Sequence, residues 1–260
     1  MSGGERTYDR HGADAPRVTF FARHVLGEVS QRPGQSKTAR RDAFALWLAK
    51  TVASLAPFDQ DAVLESLDRA RLTTDDLILH CVPFAAGLLG QRWMCNELGF
   101  AQVTVGSARL FGLCHLRNPD WPASTAPEEG LSILLATLDV EDHMIGTAVL
   151  AYRLRRIGHS VRIKTRASAE DLLELLDVGS FDGLLLSCAQ IRSLENIGEA
   201  VKQLRSRGCI QVPIVLGGAV LHEADGIKEK TGVTLATNDI NAALSLIGRS
   251  AEHALPRVAE

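Results

Sequence analysis

The chain has 260 residues, 46% of them hydrophobic and 23% charged, with a formal net charge of −3 and a pI near 6.2. That apolar content suffices for one large core or two modest ones, and the charge gives no global reason to expect nucleic-acid binding. No apolar run reaches membrane-spanning length and residues 1–16 lack a signal-peptide core, so a soluble, cytoplasmic protein without membrane contacts is expected. Five cysteines, odd in number and without CxxC spacing, argue against a disulfide framework or a zinc site and read as free core thiols.

From 17 to 117 nothing alternates at period two, and helical patterns fill 18–30, 37–56, 59–72, 75–93 and 97–117. In the second, Phe44, Leu46, Leu48, Val52 and Leu55 recur at roughly helical period and predict its buried face. Lys37, Arg40 and Arg41 at its start are poorly matched to the helix dipole and mark a candidate docking surface. Thr73, Thr74 and Asp75 supply N-cap chemistry for the fourth helix, and Pro83 should kink or break it near its first turns. Residues 118–130 carry three of the nine prolines and read as a linker.

Beyond the linker, short apolar runs alternate with amphipathic helices. The runs are 131–138, 160–165, 182–189, 212–218 and 233–237; the helices are 146–158, 168–179, 193–208, one near 220–230, and 239–248. Five βα units with apolar strands predict a doubly wound, parallel, five-stranded sheet with helices on both faces. The expected organisation is a helical bundle at 17–117, a linker at 118–130 and an α/β domain at 131–249. Arg153, Arg155 and Arg156 near the end of the first α/β helix read as a solvated basic face.

Ligands of open parallel sheets bind beyond the carboxyl ends of the strands, where the acidic loop 139–145 lies. His143 projects there, with Glu141 two residues earlier placed to accept its second ring N–H, as metal-bound imidazoles require. Gly146 is expected to open the following helix and allow a bulky ligand close, with Leu150, Leu154 and Ile157 facing the sheet. A solvated loop histidine capping a helix is the alternative.

Glu141-x-His143-x-x-Gly146 resembles the Asp-x-His-x-x-Gly signature of flavodoxin-like cobalamin-binding domains, with glutamate in place of aspartate. The resemblance implies that His143 is the lower axial cobalt ligand, displacing the dimethylbenzimidazole base, and that Glu141, Asp142, Met144, Ile145 and Gly146 line the cofactor. The family's Ser-x-Leu is matched at Ser187 but not at Ala189, both of which the resemblance places against the cofactor, and its Gly-Gly pair at Gly217 and Gly218 implies a slot for the nucleotide tail.

In the helical half, Trp93, Asn96, Glu97, Val103, Thr104, Gly106 and Arg109 resemble a run in the bundle of the AerR/PpaA family of antirepressors. That implies a helical cap over the corrin, with Trp93, Asn96 and Thr104 as cofactor contacts. The Glu-His pair of light-sensing cobalamin regulators related to MerR-type repressors is replaced by Val103-Thr104. An upper histidine ligand would come from His11, His24, His80 or His115, of which His24 is preferred; His159, His222 and His253 are assigned no role.

The resemblance therefore implies a light-responsive antirepressor holding adenosylcobalamin or hydroxo/aquocobalamin and acting through a PpsR/CrtJ-type repressor. No helix-turn-helix is evident, so no direct DNA binding is expected. No nucleophile–base pair of the hydrolase type is evident, so no turnover is expected. The alternatives are a corrinoid carrier of a methyltransferase system and a haem-binding sensor on the same fold.

Overall fold

A computed structural model describes residues 36–115, 130–139, 141, 143–206 and 211–253. The helical pattern at 18–30, nearly all of the expected linker, Asp142, Cys209, His11 and His24 lie outside the described residues. The chain divides into two compact units, Met1–Leu116 and Arg117–Glu260.

The first unit is helical: α1 (Lys37–Ala53), α2 (Gln60–Arg69), α3 (Thr74–Met94) and α4 (Phe100–Leu113). Ser36 and Asp59 cap α1 and α2 through side-chain oxygens, and Thr73 with Asp76 forms a capping box on α3. Phe44, Leu48 and Val52 of α1 are buried together with Leu77, Ile78 and Leu89 of α3 and Leu110 and Leu113 of α4. Leu46 and Leu55, expected on the inner face, are exposed. Leu46 lies two residues from Phe44, about 200° round the helix, and Leu55 lies beyond the end of α1.

Pro83 does not break α3. The helix passes through a π-helical stretch, Leu77–Cys81, in which the Val82 N–H donates to the Leu77 carbonyl five residues back, and continues as Val82–Met94. The wider turn absorbs the missing proline N–H and keeps its ring clear of the preceding carbonyls.

The basic start of α1 faces a buried anion rather than a docking partner. Asp76 is almost wholly buried, 3.0 Å from Lys37 Nζ and paired with Arg41, while the Thr73 N–H and hydroxyl each donate to it at 2.9 Å. Burial alone would push this carboxyl up; the Thr73 bonds and the two cations instead hold it well below the usual carboxylate range. Two residues of the antirepressor-like run are structural as well. A Cβ on Gly106 would stand 2.9 Å from Leu89 Cδ1, so the Leu89 side chain of α3 packs directly on the backbone of α4 there. Arg109 donates to the carbonyls of Val52 (3.0 Å), Ser54 and Ala56 (2.7 Å) past the end of α1, and lies over the Phe58 ring.

The second unit is α/β, with strands β1 (Ser132–Leu138), β2 (Ser160–Ala167), β3 (Gly183–Ser187), β4 (Ile214–Gly217) and β5 (Leu235–Ala236). The helices between and after them are α5 (Met144–Arg156), α6 (Ala169–Val178), α7 (Leu194–Ser206), α8 (Ile227–Thr231) and α9 (Ile240–His253). All strands run parallel in the order β2-β1-β3-β4-β5, the flavodoxin-like order. Alternate strand residues feed opposite faces: Leu134, Leu186 and Leu216 pack with Leu172, Ile197 and Val201, and Ile133, Leu185 and Val215 with Leu154, Ala243 and Ile247.

Three local expectations change. The helix α5 begins at Met144, not Gly146, because the chain turns helical directly after His143. Ile157 lies past its end and is 53% exposed, leaving Leu150 and Leu154 to face the sheet. The segment near 220–230 splits into a 3-10 turn (Ala219–His222) and α8, parted by Gly226 in the left-handed region. Among the described residues no single helix is long and apolar enough to cross a membrane. Replacing Asp76 by alanine removes a cap and the buried carboxylate that Lys37 and Arg41 share, a loss of about 2–4 kcal/mol. Urea unfolding of D76A at neutral pH checks this; in the wild type the contribution is full above the ordinary carboxylate range and disappears only in strong acid, as pH falls through the depressed value.

Candidate functional site

Strands β1 and β3 are neighbours in the sheet, yet the helices that follow them leave on opposite faces, α5 beside Leu135 and α7 beside Leu186. Their carboxyl ends therefore bound a crevice, the topological switch point at which doubly wound sheets bind ligands. The loop after β1 carries Glu141 and His143; β3 ends at Ser187, and the loop after it carries Cys188 and Ala189.

Glu141 joins the two loops. Its Oε1 accepts the His143 backbone N–H at 3.0 Å and lies 2.5 Å from His143 Nδ1, and its Oε2 accepts the Ala189 N–H at 2.7 Å. The residue is 2% exposed. Burial would raise its pKa, but the bonds from His143 and Ala189 outweigh that and bring it down to about 2. His143 occupies the N-cap position of α5, yet its side chain makes no capping bond. Its side chain is 57% exposed, and Nε2 is the nitrogen that Glu141 does not take. A carboxylate on Nδ1 fixes the tautomer that presents Nε2 as an electron-pair donor.

The surroundings divide into open and closed positions. Gly146, in the first turn of α5, is exposed, and a Cβ there would meet nothing within 4 Å. Met144 and Ile145 are half-buried beside it. The buried hydroxyl of Thr147, in the helix after β1, has no hydrogen-bond partner among the described residues, as polar atoms next to a ligand site often lack one. Gly217 and Gly218 do not leave the expected slot. Gly218 has φ +117°, and a Cβ on it would fall 2.1 Å from the Cys188 carbonyl oxygen; one on Gly217 would meet the Thr237 carbonyl at 3.1 Å. The pair lets three strand ends close on one another, with Ser187 in register with Gly217 and the Cys188 N–H donating to the Gly217 carbonyl at 2.9 Å. Ser187 is half-buried at the end of β3, and burial pushes the Cys188 thiol up.

In the helical unit, Asn96 takes a left-handed conformation (φ 58°) just past α3, where the Asn96 and Glu97 N–H groups close the helix end on the Trp93 and Arg92 carbonyls. Asparagine is favoured there for backbone reasons. Thr104 is exposed on α4. Trp93 is 52% exposed, on an outward face of α3 whose central row is Pro83, Gly87, Gly90 and Met94, flanked by Phe84 on one side and Trp93 on the other. The row carries no charge, and a Cβ on Gly87 or Gly90 would meet nothing within 4 Å. The Nδ1 of His115 sits 2.9 Å from the Phe111 carbonyl, and His80 is exposed on the π-helical stretch. Trp93 and Glu141–His143 belong to different units. Two contributions do not show in the sequence: the Ala189 N–H as donor to Glu141, although Ala189 itself is an expected cofactor contact, and Asn238, whose side chain pairs with Gly218. A backbone N–H leaves no mark in sequence, and only the position of Asn238 just past the last strand hinted at it.

No family model matches the chain. It is 30% identical over 186 residues, 71% of its length and 97% of the relative's, to the uncharacterized 20.5 kDa protein in the bchF-crtJ intergenic region of Rhodobacter capsulatus. The chain belongs to that protein's family. Among solved structures, the Methanosarcina barkeri monomethylamine corrinoid protein is similar in fold, with a TM-score of 0.58 at 16% identity over 81% of this chain and 96% of that one. A cobalamin-binding protein from Desulfitobacterium hafniense DCB-2 matches at 15% identity and a TM-score of 0.41, over 81% and 98% of the two chains. With the family and the flavodoxin-like sheet established, the site can be tested without a ligand. Replacing Glu141 by glutamine removes the charge that collects three bonds, at a cost on the order of 2 kcal/mol at neutral pH. Since the folded-state value is depressed, this stability is present above about 4.5 and lost towards about 2. Urea midpoints of wild type and E141Q should differ at pH 7 and converge near pH 2.

Proposed function

We propose that the α/β unit binds cobalamin, with Nε2 of His143 as the lower axial ligand of cobalt, and that the protein is a regulator rather than an enzyme. One observation carries this reading: an exposed imidazole at the switch point, its Nδ1 held by a buried carboxylate. The donor set fits the group. A single neutral imidazole with a carboxylate behind it suits axial ligation of a metal already held in a macrocycle, and among the described residues no cluster of three or more metal-ligating side chains offers a free ion a cage. Gly146 leaves room above α5 for a wide ligand. The fold shared with a corrinoid protein supports the same reading.

Bound cobalt would supply a photolabile upper coordination position. Glu141 orients His143 and raises its basicity. Met144, Ile145 and Asp142 flank the ring in sequence, and the orphaned hydroxyl of Thr147 stands ready for a polar group of the ligand. Trp93 is proposed as a cofactor contact. Its support is the uncharged row on α3: glycines in a helix interior cost about 1 kcal/mol each relative to alanine, and nothing among the described residues requires Gly87 or Gly90. Asn96 and Thr104 are weaker candidates, since the left-handed turn already accounts for Asn96.

The signal is proposed to pass to a DNA-binding repressor of the PpsR/CrtJ type, which makes the protein an antirepressor of the AerR/PpaA kind. The relative's place in the bchF-crtJ intergenic region supports that partner. Differential affinity of the partner for two ligand states is all that such signalling requires. A methyl-carrying corrinoid protein is the second reading, favoured by the fold of the monomethylamine corrinoid protein.

Loading the full chain with adenosylcobalamin in darkness should give a bound spectrum that changes on illumination. His143→Ala should shift that spectrum and weaken binding by tenfold or more, while Gly90→Ala should stabilise the free protein by about 1 kcal/mol and weaken binding. Absence of corrinoid uptake in darkness and in light would remove the reading, and a Soret band on adding haem would transfer it to haem. Methyl transfer from methylcobalamin-loaded protein to an acceptor, with a cognate methyltransferase, would decide for the carrier.

A further inference from the structure

We propose that Asn238 is a positioning residue for His143, acting across the strand ends through Gly218, the β3 loop and Glu141. The inference rests on His143 being the ligating residue, but its geometry stands apart from the cofactor's identity.

Asn238 follows β5, at the opposite edge of the sheet from the loop that follows β2. Its side-chain amide binds one residue twice: Oδ1 accepts the Gly218 N–H at 2.7 Å, and Nδ2 donates to the Gly218 carbonyl at 3.1 Å. Nδ2 also lies 3.3 Å from Nε2 of His222, so a neutral imidazole there can accept from it and fix the amide's orientation. Gly218 in turn presses on the β3 loop, its Cα lodged where any side chain would strike the Cys188 carbonyl. Two further bonds brace the same residue, from the Cys188 N–H to the Gly217 carbonyl at 2.9 Å and from the Val220 N–H to the Cys188 carbonyl at 3.4 Å. The next N–H along, that of Ala189, is the one donated to Glu141, and the other oxygen of Glu141 holds His143.

Each link is direct contact or a hydrogen bond. Because Gly218 can adopt many backbone conformations, the turn has little intrinsic preference for φ +117°. The Asn238 amide selects it, as a side-chain substitute for a strand partner. The Gly-Gly pair is then a bracket that sets the β3 loop, and a looser bracket frees the Ala189 N–H and lets Glu141 and His143 rotate away together.

The test is amide hydrogen exchange of the full chain without cofactor, in wild type, Asn238→Ala and Asn238→Asp. The Ala189 and His143 amides should exchange at least tenfold faster in N238A, with Leu185 and Ile133 in the strands unchanged. N238D keeps the acceptor for the Gly218 N–H but loses the donor, and should lie between. With hydroxocobalamin added, N238A should lose the spectral signature of histidine ligation in proportion, although Asn238 does not touch His143. Unchanged Ala189 exchange in N238A, or acceleration spread evenly over the sheet, would overturn the proposal. If N238D folds and N238A does not, N238D must accelerate Ala189 selectively or the proposal falls. Failure of the wild type to take up any corrinoid, with Ala189 still selectively loosened, would sink the cobalamin reading and leave the positioning role standing.

Discussion

The site depends on a carboxylate that is buried and still charged. Taking an isolated ionised carboxyl out of water is prohibitive, so it persists only where donors converge on it. Glu141 meets that condition with two backbone N–H groups and an imidazole, from two loops that adjoin only because β1 and β3 are neighbours. The charge thus selects a single arrangement of the crevice. Either loop displaced would strand an anion, and that penalty helps keep the exposed His143 ring in one orientation.

Glutamate rather than aspartate follows from the span. One oxygen stays on the chain's own loop, at residues 141–143, while the other reaches the loop after β3. The additional methylene belongs to that reach. The helical unit repeats the device with Asp76, whose carboxylate gathers Thr73, Lys37 and Arg41 and so ties the start of α3 to the start of α1. In each unit the buried anion sits at a helix start, where the dipole adds to its stabilisation.

The α/β half was legible because its signals are local. A strand buried on both faces must be an apolar run, and the helix after it must be amphipathic, so β1 to β4 fall close to where the pattern puts them. Glu141 and His143 were legible for the same reason, being two residues apart. What failed to show involves partners distant in sequence or atoms without a side-chain signature. Lys37 and Arg41 look like a misplaced basic cluster until Asp76, 35 residues past Arg41, comes to meet them. Pro83 looks like a breaker until the turn before it widens. Gly217 and Gly218 look like a slot for a ligand when the space is taken by the Cys188 and Thr237 carbonyls.

Matching residues within one motif can therefore be there for unrelated reasons. In the antirepressor-like run, Gly106 is small because Leu89 stands against it, Arg109 closes the end of α1, and Asn96 takes a backbone turn that most residues avoid. The fold alone explains all three. Trp93, Gly87 and Gly90 differ: the tryptophan leaves half its surface exposed, and the glycines give up helix stability with none of the described residues overhead. Helix interiors shed glycine unless something must come close to their backbone, and here none of the described residues does. The residues whose identity the fold leaves unexplained are the ones to weigh as ligand contacts, and on α3 they share one uncharged face.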